Sequence, residues 1–143
     1  MKKLLLIIVV LSPSFVFAAT KLDSFKKIQE SLSQGNKFTV VVDFKNCSSN
    51  IINMKDMNLK ASFSPNAIMY EPSKSISFSD LHFTVNSPRY KGKPIYESVS
   101  YKLDSKGNLA INTQVLNAVD FSTIGKNYSI SCQINKGVEF YQQ

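Results

Sequence analysis

The chain has 143 residues, a formal net charge of +7 and 43% hydrophobic residues, with two cysteines, one histidine and no tryptophan. That is the size of a single domain, too balanced in composition for a low-complexity, collagen-like or cysteine-dense chain. A lone arginine, Arg89, among 17 basic residues argues against a sequence-reading nucleic-acid binder, which relies on arginine at base edges.

Lys2 and Lys3 precede a continuous apolar run, Leu4–Leu11, which ends at Ser12-Pro13; Val16 and Ala18 then hold the −3 and −1 positions of a cleavage site. This layout predicts a secretory signal peptide over 1–18, with Ala19 as a second cleavage choice. The run is too short to span a bilayer, which needs roughly 20 residues. The alternative is an uncleaved N-terminal anchor. No later segment is long and apolar enough to cross, so no transmembrane segment is expected after cleavage. The exported protein would be periplasmic or extracellular. Residues 19–143 carry 15 basic and 10 acidic side chains, and the lysines are scattered rather than clustered. A solvated surface and a monomer are expected; weak attraction to anionic membranes or polysaccharide is the alternative.

In Lys21–Gln34, Leu22, Phe25, Ile28 and Leu32 recur at three- and four-residue spacing, which predicts one helix over 21–34. Asp23 or Ser24 would cap its start and Gly35 its end. With so few apolar residues, the stripe suits a lid on the domain better than a helix lying on a membrane. From Lys37 the period changes to two. Phe38, Val40, Val42 and Phe44 share a face, as do Met57, Leu59, Ala61 and Phe63. Ile95, Val99, Tyr101 and Leu103 form another such set, followed by Leu109, Ile111 and Val115, by Tyr128, Ile130, Cys132 and Ile134, and by Val138 and Phe140. One apolar and one polar face is the pattern of antiparallel sheet.

Turn signals separate these stretches. Asp104-Ser105-Lys106-Gly107 and Asn135-Lys136-Gly137 read as hairpins with glycine at positive φ, and residues 88–94 as a longer loop. About eight strands follow one another with short connections and no second helix. The predicted fold is therefore mainly β: an antiparallel eight-stranded meander closing into a lipocalin-like β-barrel, with one N-terminal α-helix, all in a single domain over 19–143. A two-sheet sandwich is the alternative. Such a barrel is either filled by side chains or holds one small ligand.

Cys47 and Cys132 stand 85 positions apart in an exported chain, so they are expected to form a disulfide. In the chain-entropy account so large a loop stabilises by about 4–5 kcal/mol. A metal site fails on count, because two cysteines and one histidine do not complete a tetrahedral set and no close ligand spacing occurs. No metal and no cofactor are expected.

Phe78–Val85, FSDLHFTV, contains the only histidine and breaks the alternation. Ile76 and Phe78 are apolar at even positions, Leu81, Phe83 and Val85 at odd ones. One extra residue at Ser79-Asp80, a β-bulge, would account for the exchange and help a sheet to curve. Asp80, His82 and Thr84 would then share a face and form the candidate polar site. An aspartate that orients a histidine is half of a hydrolase triad. The nucleophile is unmarked, since no Gly-x-Ser-x-Gly elbow occurs. No catalytic residue is assigned and the protein is not expected to be an enzyme. Carboxylates are scattered singly, and no glycine-rich phosphate loop occurs. Tyr70, Tyr96 and Tyr101 are candidates for a pocket or rim.

Val40–Cys47, Ile76–Val85, Gly92–Ile111 and Tyr128–Tyr141 together resemble the bacterial VirK family. The resemblance spans nearly all of 19–143, includes both cysteines and the Ser79-Asp80-x-His82-Phe83-Thr84 core, and is weakest over Ser48–Ser64. It implies a small exported protein linked with virulence, without an established reaction. It makes Asp80 and His82 family features but gives them no role. The resulting expectation is a non-enzymatic binding module taking a small apolar ligand or an envelope component. Alternatives are an interaction factor that meets a host or envelope protein through its basic surface or the 88–94 loop, and a hydrolase using His82 with Asp80.

Overall fold

A computed structural model describes residues 19–51, 58–87 and 89–143. The predicted signal peptide lies outside the described residues, as do Met57 of the predicted 57–63 strand and Pro88 of the 88–94 loop.

Strand β1 (Thr20–Leu22) leads into helix α1 (Phe25–Ser33). Ser24 caps the helix from extended backbone, its hydroxyl accepting from the Lys27 N–H. At the other end Gly35 adopts φ +82°, and the Gly35 and Asn36 N–H groups donate to Leu32 O and Ser31 O at 3.0 and 3.1 Å. This is a Schellman closure. The predicted helix over 21–34 is thus shorter in the fold. Its first turn is strand instead, because Thr20–Leu22 pair with Phe140–Gln142 and so satisfy their backbone groups across a sheet.

Nine further strands follow: β2 (Phe38–Asp43), β3 (Ser48–Ser49), β4 (Lys60–Phe63), β5 (Ile68–Glu71), β6 (Ser75–Thr84), β7 (Ile95–Asp104), β8 (Asn108–Asn117), β9 (Tyr128–Ile134) and β10 (Gly137–Gln142). A 3₁₀ turn, Phe44–Asn46, separates β2 from β3. The five strands β5 to β9 form the predicted antiparallel meander. At Gly107, with φ +85°, the Asp104 carboxylate accepts from the Lys106 and Asn108 N–H groups and closes the β7–β8 hairpin.

After β9 the order departs from a meander. Asn135-Lys136 is a corner rather than a hairpin: Gly137 and Val138 pair in parallel with Gln133 and Ile134 before β10 runs antiparallel beside both β1 and β2. Glycine is required at 137. Its φ is +109°, and a Cβ there would sit 2.8 Å from Cys47 Sγ and 2.9 Å from Asn46 O.

The hydrogen-bonded order is β4-β2-β10-β9-β8-β7-β6-β5. Its ends, β4 and β5, do not pair with each other. The sheet is a curled half-barrel, open along that seam, which corrects the predicted closed eight-stranded barrel. The physical reason is length. Each seam strand has four residues, and β5 covers only Ser75–Phe78 of the ten-residue β6. Side chains, not a ladder, bridge the gap: Phe63 of β4 lies 4.7 Å from Tyr101 and 6.1 Å from Phe78, centroid to centroid.

The core fills the curl. Phe38 meets Phe78 and Phe140 edge-on at 5.7 and 5.3 Å, surrounded by Val40, Val42, Ile76, Leu103, Leu109 and Val138. Phe25 and Ile28 of α1 and Leu22 of β1 close one end. Cys47 and Cys132 form a buried disulfide between the end of the 3₁₀ turn and β9.

Candidate functional site

The candidate polar residues Asp80, His82 and Thr84 lie on β6, so the register of β6 decides which face they share. Pairing with β7 runs without a break from Ser75–Asp104 to Thr84–Ile95. No residue is inserted at Ser79-Asp80, and the predicted bulge is absent. Ile76, Phe78, Asp80, His82 and Thr84 therefore share the inner face, while Ser77, Ser79, Leu81 and Phe83 share the outer one. The apolar phase changes because the surroundings change. Up to Phe78 the inner face is covered by the strands opposite and must be apolar. Beyond Phe78 the inner positions emerge into solvent and the outer face takes over, where Phe83 packs 5.4 Å from Tyr96 and Tyr96 stacks on Phe121 at 5.3 Å.

Between the two walls of the half-barrel lies a cavity of about 350 Å³. Val42, Phe44, Ala61 and Phe63 form one wall; Val99, Tyr101, Ile111 and Ile130 form the other, with Leu59 and Lys60 at the rim. Alternation on β2, β4, β7, β8 and β9 turns these wall side chains inward, except Phe44, which the 3₁₀ turn after β2 contributes. The lining is almost wholly apolar, and its size is within the range of small-molecule sites.

Tyr101 and Thr113 bring hydroxyl groups to the lining. The Tyr101 ring stacks on Phe78, centroids 4.8 Å apart and planes 15° from parallel. Burial pushes its phenol up to about 12, and the nearby charge of Asp80 adds to the rise. The hydroxyl is therefore a neutral donor at any physiological pH.

The remaining sequence candidates lie in different surroundings. Asp80, His82 and Thr84 share a face as predicted, opposite Val99, Glu97 and Ile95 of β7. Asp80 and His82 are exposed, and the Asp80 carboxylate accepts from its neighbour's Leu81 N–H at 3.0 Å rather than from His82. Tyr70 stands on edge strand β5 opposite Ile76, and Tyr96 is on the outer face. The three tyrosines thus belong to three places, and only Tyr101 lines the cavity. Among the described residues no group of three or more His, Cys, Asp or Glu side chains is placed to hold a metal ion. No described helix is long and apolar enough to cross a membrane.

A second cavity, of about 370 Å³, lies under the loop after β6, lined by Arg89, Tyr90, Glu97, Thr113 and Tyr128 among others. Arg89 donates to the Tyr128 hydroxyl at 2.6 Å with its guanidinium 5.2 Å from the ring centroid, and Tyr90 donates to Ile124 O at 3.3 Å. These contacts fasten the loop to the first residue of β9 and to the segment before it. Apart from Tyr101, the sequence did not single out the cavity walls, nor did it single out Tyr90. The signal for the walls was present in the alternation, but alternation does not say which inward residues lack a facing partner.

Comparison with known proteins places this geometry. The family model described as VirK protein matches residues 21–121. A crystal structure of a VirK family protein from Legionella pneumophila is 30% identical and superposes with a TM-score of 0.77, covering 84% of this chain and 97% of that one. No curated protein matches the chain significantly.

Proposed function

The chain belongs to the VirK family, and from that premise we propose that it acts as an exported, non-enzymatic binding module whose half-barrel takes a small apolar ligand or the apolar part of an envelope component. The observation that carries this reading is the cavity between β2/β4 and β7/β8/β9, apolar on both walls with the Tyr101 hydroxyl as a polar handle. A core closed for stability alone would bring these walls into contact, since interiors pack to crystal-like density. The open seam between β4 and β5 gives a ligand a way in that needs no broken ladder. Export is consistent with the disulfide and with the predicted leader.

The Asp80 carboxylate is engaged with the Leu81 N–H, which favours a structural role for it over the orientation of His82. A second reading, contact with a host or envelope protein through the loop after β6, draws on one observation. That loop is fastened at Arg89 and Tyr90 while Lys91 and Lys93 stay exposed.

Titration with a neutral naphthylamine dye tests the first reading. Dye fluorescence should rise saturably with the wild-type protein and fail to rise with Ala61→Trp, which fills the cavity from β4. Equal binding by both proteins would remove the cavity from the account.

A further inference from the structure

β6 leaves a free edge. β5 pairs with Ser75–Phe78 only, and no described strand lies beside Ser79–Thr84. The Ser105 N–H donates to Lys74 O at 3.1 Å, which extends the β6–β7 ladder and fixes its phase. Even-numbered residues of β6 hydrogen-bond to β7, so Ser79, Leu81 and Phe83 turn their N–H and C=O groups to the open side. The Leu81 amide has no strand partner there and is held instead by the Asp80 carboxylate at 3.0 Å. On the outer face of the same edge Leu81 and Phe83 are each 51% exposed. Six residues of unpaired strand flanked by exposed apolar side chains form a template for another strand.

We propose that two copies of this chain pair antiparallel through the Ser79–Thr84 edge of β6, about a two-fold axis at Leu81. The strand is complementary to itself in that register. Leu81 faces Leu81 of the second copy as a hydrogen-bonded pair, so each freed Leu81 N–H reaches a carbonyl. Asp80 then lies directly opposite His82 of the second copy, twice by symmetry, in the non-hydrogen-bonded positions where side chains approach most closely. Ser79 faces Phe83, and the Leu81 and Phe83 side chains of both copies form one continuous apolar strip on the outer face. The axis stands perpendicular to the sheet, so inner face continues into inner face and the two half-barrels join into one wide sheet. The pair sets Asp80 against an imidazole, whereas within one chain its carboxylate meets only the Leu81 N–H and His82 lies opposite Glu97 of β7. It departs from the monomer expected from the solvated surface.

Sedimentation velocity on the purified protein at neutral pH, over a range of concentrations, tests this. The wild type should show a reversible monomer–dimer equilibrium. Leu81→Lys should abolish the dimer. His82→Asp should weaken it by about tenfold or more, because two carboxylates then face each other at two sites, and Asp80→Lys should weaken it too, because the carboxylate that faces the imidazole is lost. The double variant Asp80→Lys/His82→Asp restores opposite charges in this register and should return the dissociation constant to within about threefold of wild type. All three positions are exposed edge sites, and circular dichroism confirms that each variant folds. A wild type that stays monomeric up to roughly millimolar concentration overturns the proposal. So does a dimer that Leu81→Lys leaves intact. A dimer weakened by both single charge changes but not recovered by the double change overturns the register that sets Asp80 against His82.

Discussion

Tyr101 lies nearly flat against Phe78, 4.8 Å away, and both rings meet Phe63 from the opposite edge of the open seam. Three aromatic side chains from β4, β6 and β7 thus pack across a seam that no hydrogen-bond ladder joins. Replacing Tyr101 by alanine should cost about 3–5 kcal/mol, the range for removing a large packed side chain, read as a fall in the denaturant midpoint. Tyr101→Phe keeps the stack and should change stability by less than about 0.5 kcal/mol.

The same residue predicts the alkaline limit of stability. Its folded pKa is raised to about 12 from an ordinary value of 10.0, by burial first and the charge of Asp80 second. A folded pKa above the unfolded one means that the contribution is fully present below pH 10 and is lost as pH rises toward 12. Spectrophotometric titration should show late-ionising tyrosine, and Tyr101→Phe should remove one group from that late step; Tyr141, held up by its hydrogen bond to Glu139, stays in it. If all tyrosines titrate together in both proteins, the half-buried placement of this phenol is wrong.

Asp104 sets the acid counterpart. Burial opposes its ionisation, but hydrogen bonds from Asn108 and the Lys106 N–H outweigh that and hold its carboxyl below the usual value of 3.8. A lowered folded pKa gives stability that is present above the unfolded value and lost as pH falls through the folded one. Asp104→Ala should destabilise the β7–β8 hairpin by about 1–3 kcal/mol at neutral pH. The deficit should shrink in urea unfolding performed below pH 3.8. A deficit equal at both pH values would show that the charge is not what the turn uses.

Gly137 and the disulfide are one structural unit. A methyl group at 137 would collide with Cys47 Sγ and Asn46 O in a backbone conformation that L side chains rarely adopt. Gly137→Ala should therefore cost more than about 1 kcal/mol, the sign opposite to that of a glycine-to-alanine change at a permissive site. Removing both Cys47 and Cys132 should cost about 2–5 kcal/mol. Thermal unfolding of the two variants and their combination would show less than additive losses, because Gly137 makes room for the sulfur.

Residues that act through periodicity were legible before the fold was known. Val40, Val42, Leu103, Leu109 and Cys132 are buried where alternation puts them, and Phe25 and Ile28 face the core from the helix. Leu22 is buried too, but in β1, because it continues the helical stripe while its backbone pairs with Phe140. What depends on distant partners was not legible. The exchange of apolar phase at Phe78–Val85 reads equally well as an inserted residue or as a sheet whose covered face changes sides; only the unbroken register with β7 decides. Closure failed for the same reason, since nothing local to Ile68–Glu71 says that it stops short along β6. Within the candidate site Tyr101 was legible as a pocket residue, while Tyr70 and Tyr96 have the same chemistry on an edge and an outer face.

Native mass spectrometry of the protein purified from its own host tests the central claim, ligand binding in the half-barrel, most directly. The wild type should retain a small apolar molecule that is released on unfolding, and Ala61→Trp, folded but with the cavity filled, should emerge without it. A wild-type protein that carries no bound mass under gentle conditions, or an adduct that Ala61→Trp retains in full, would contradict the account.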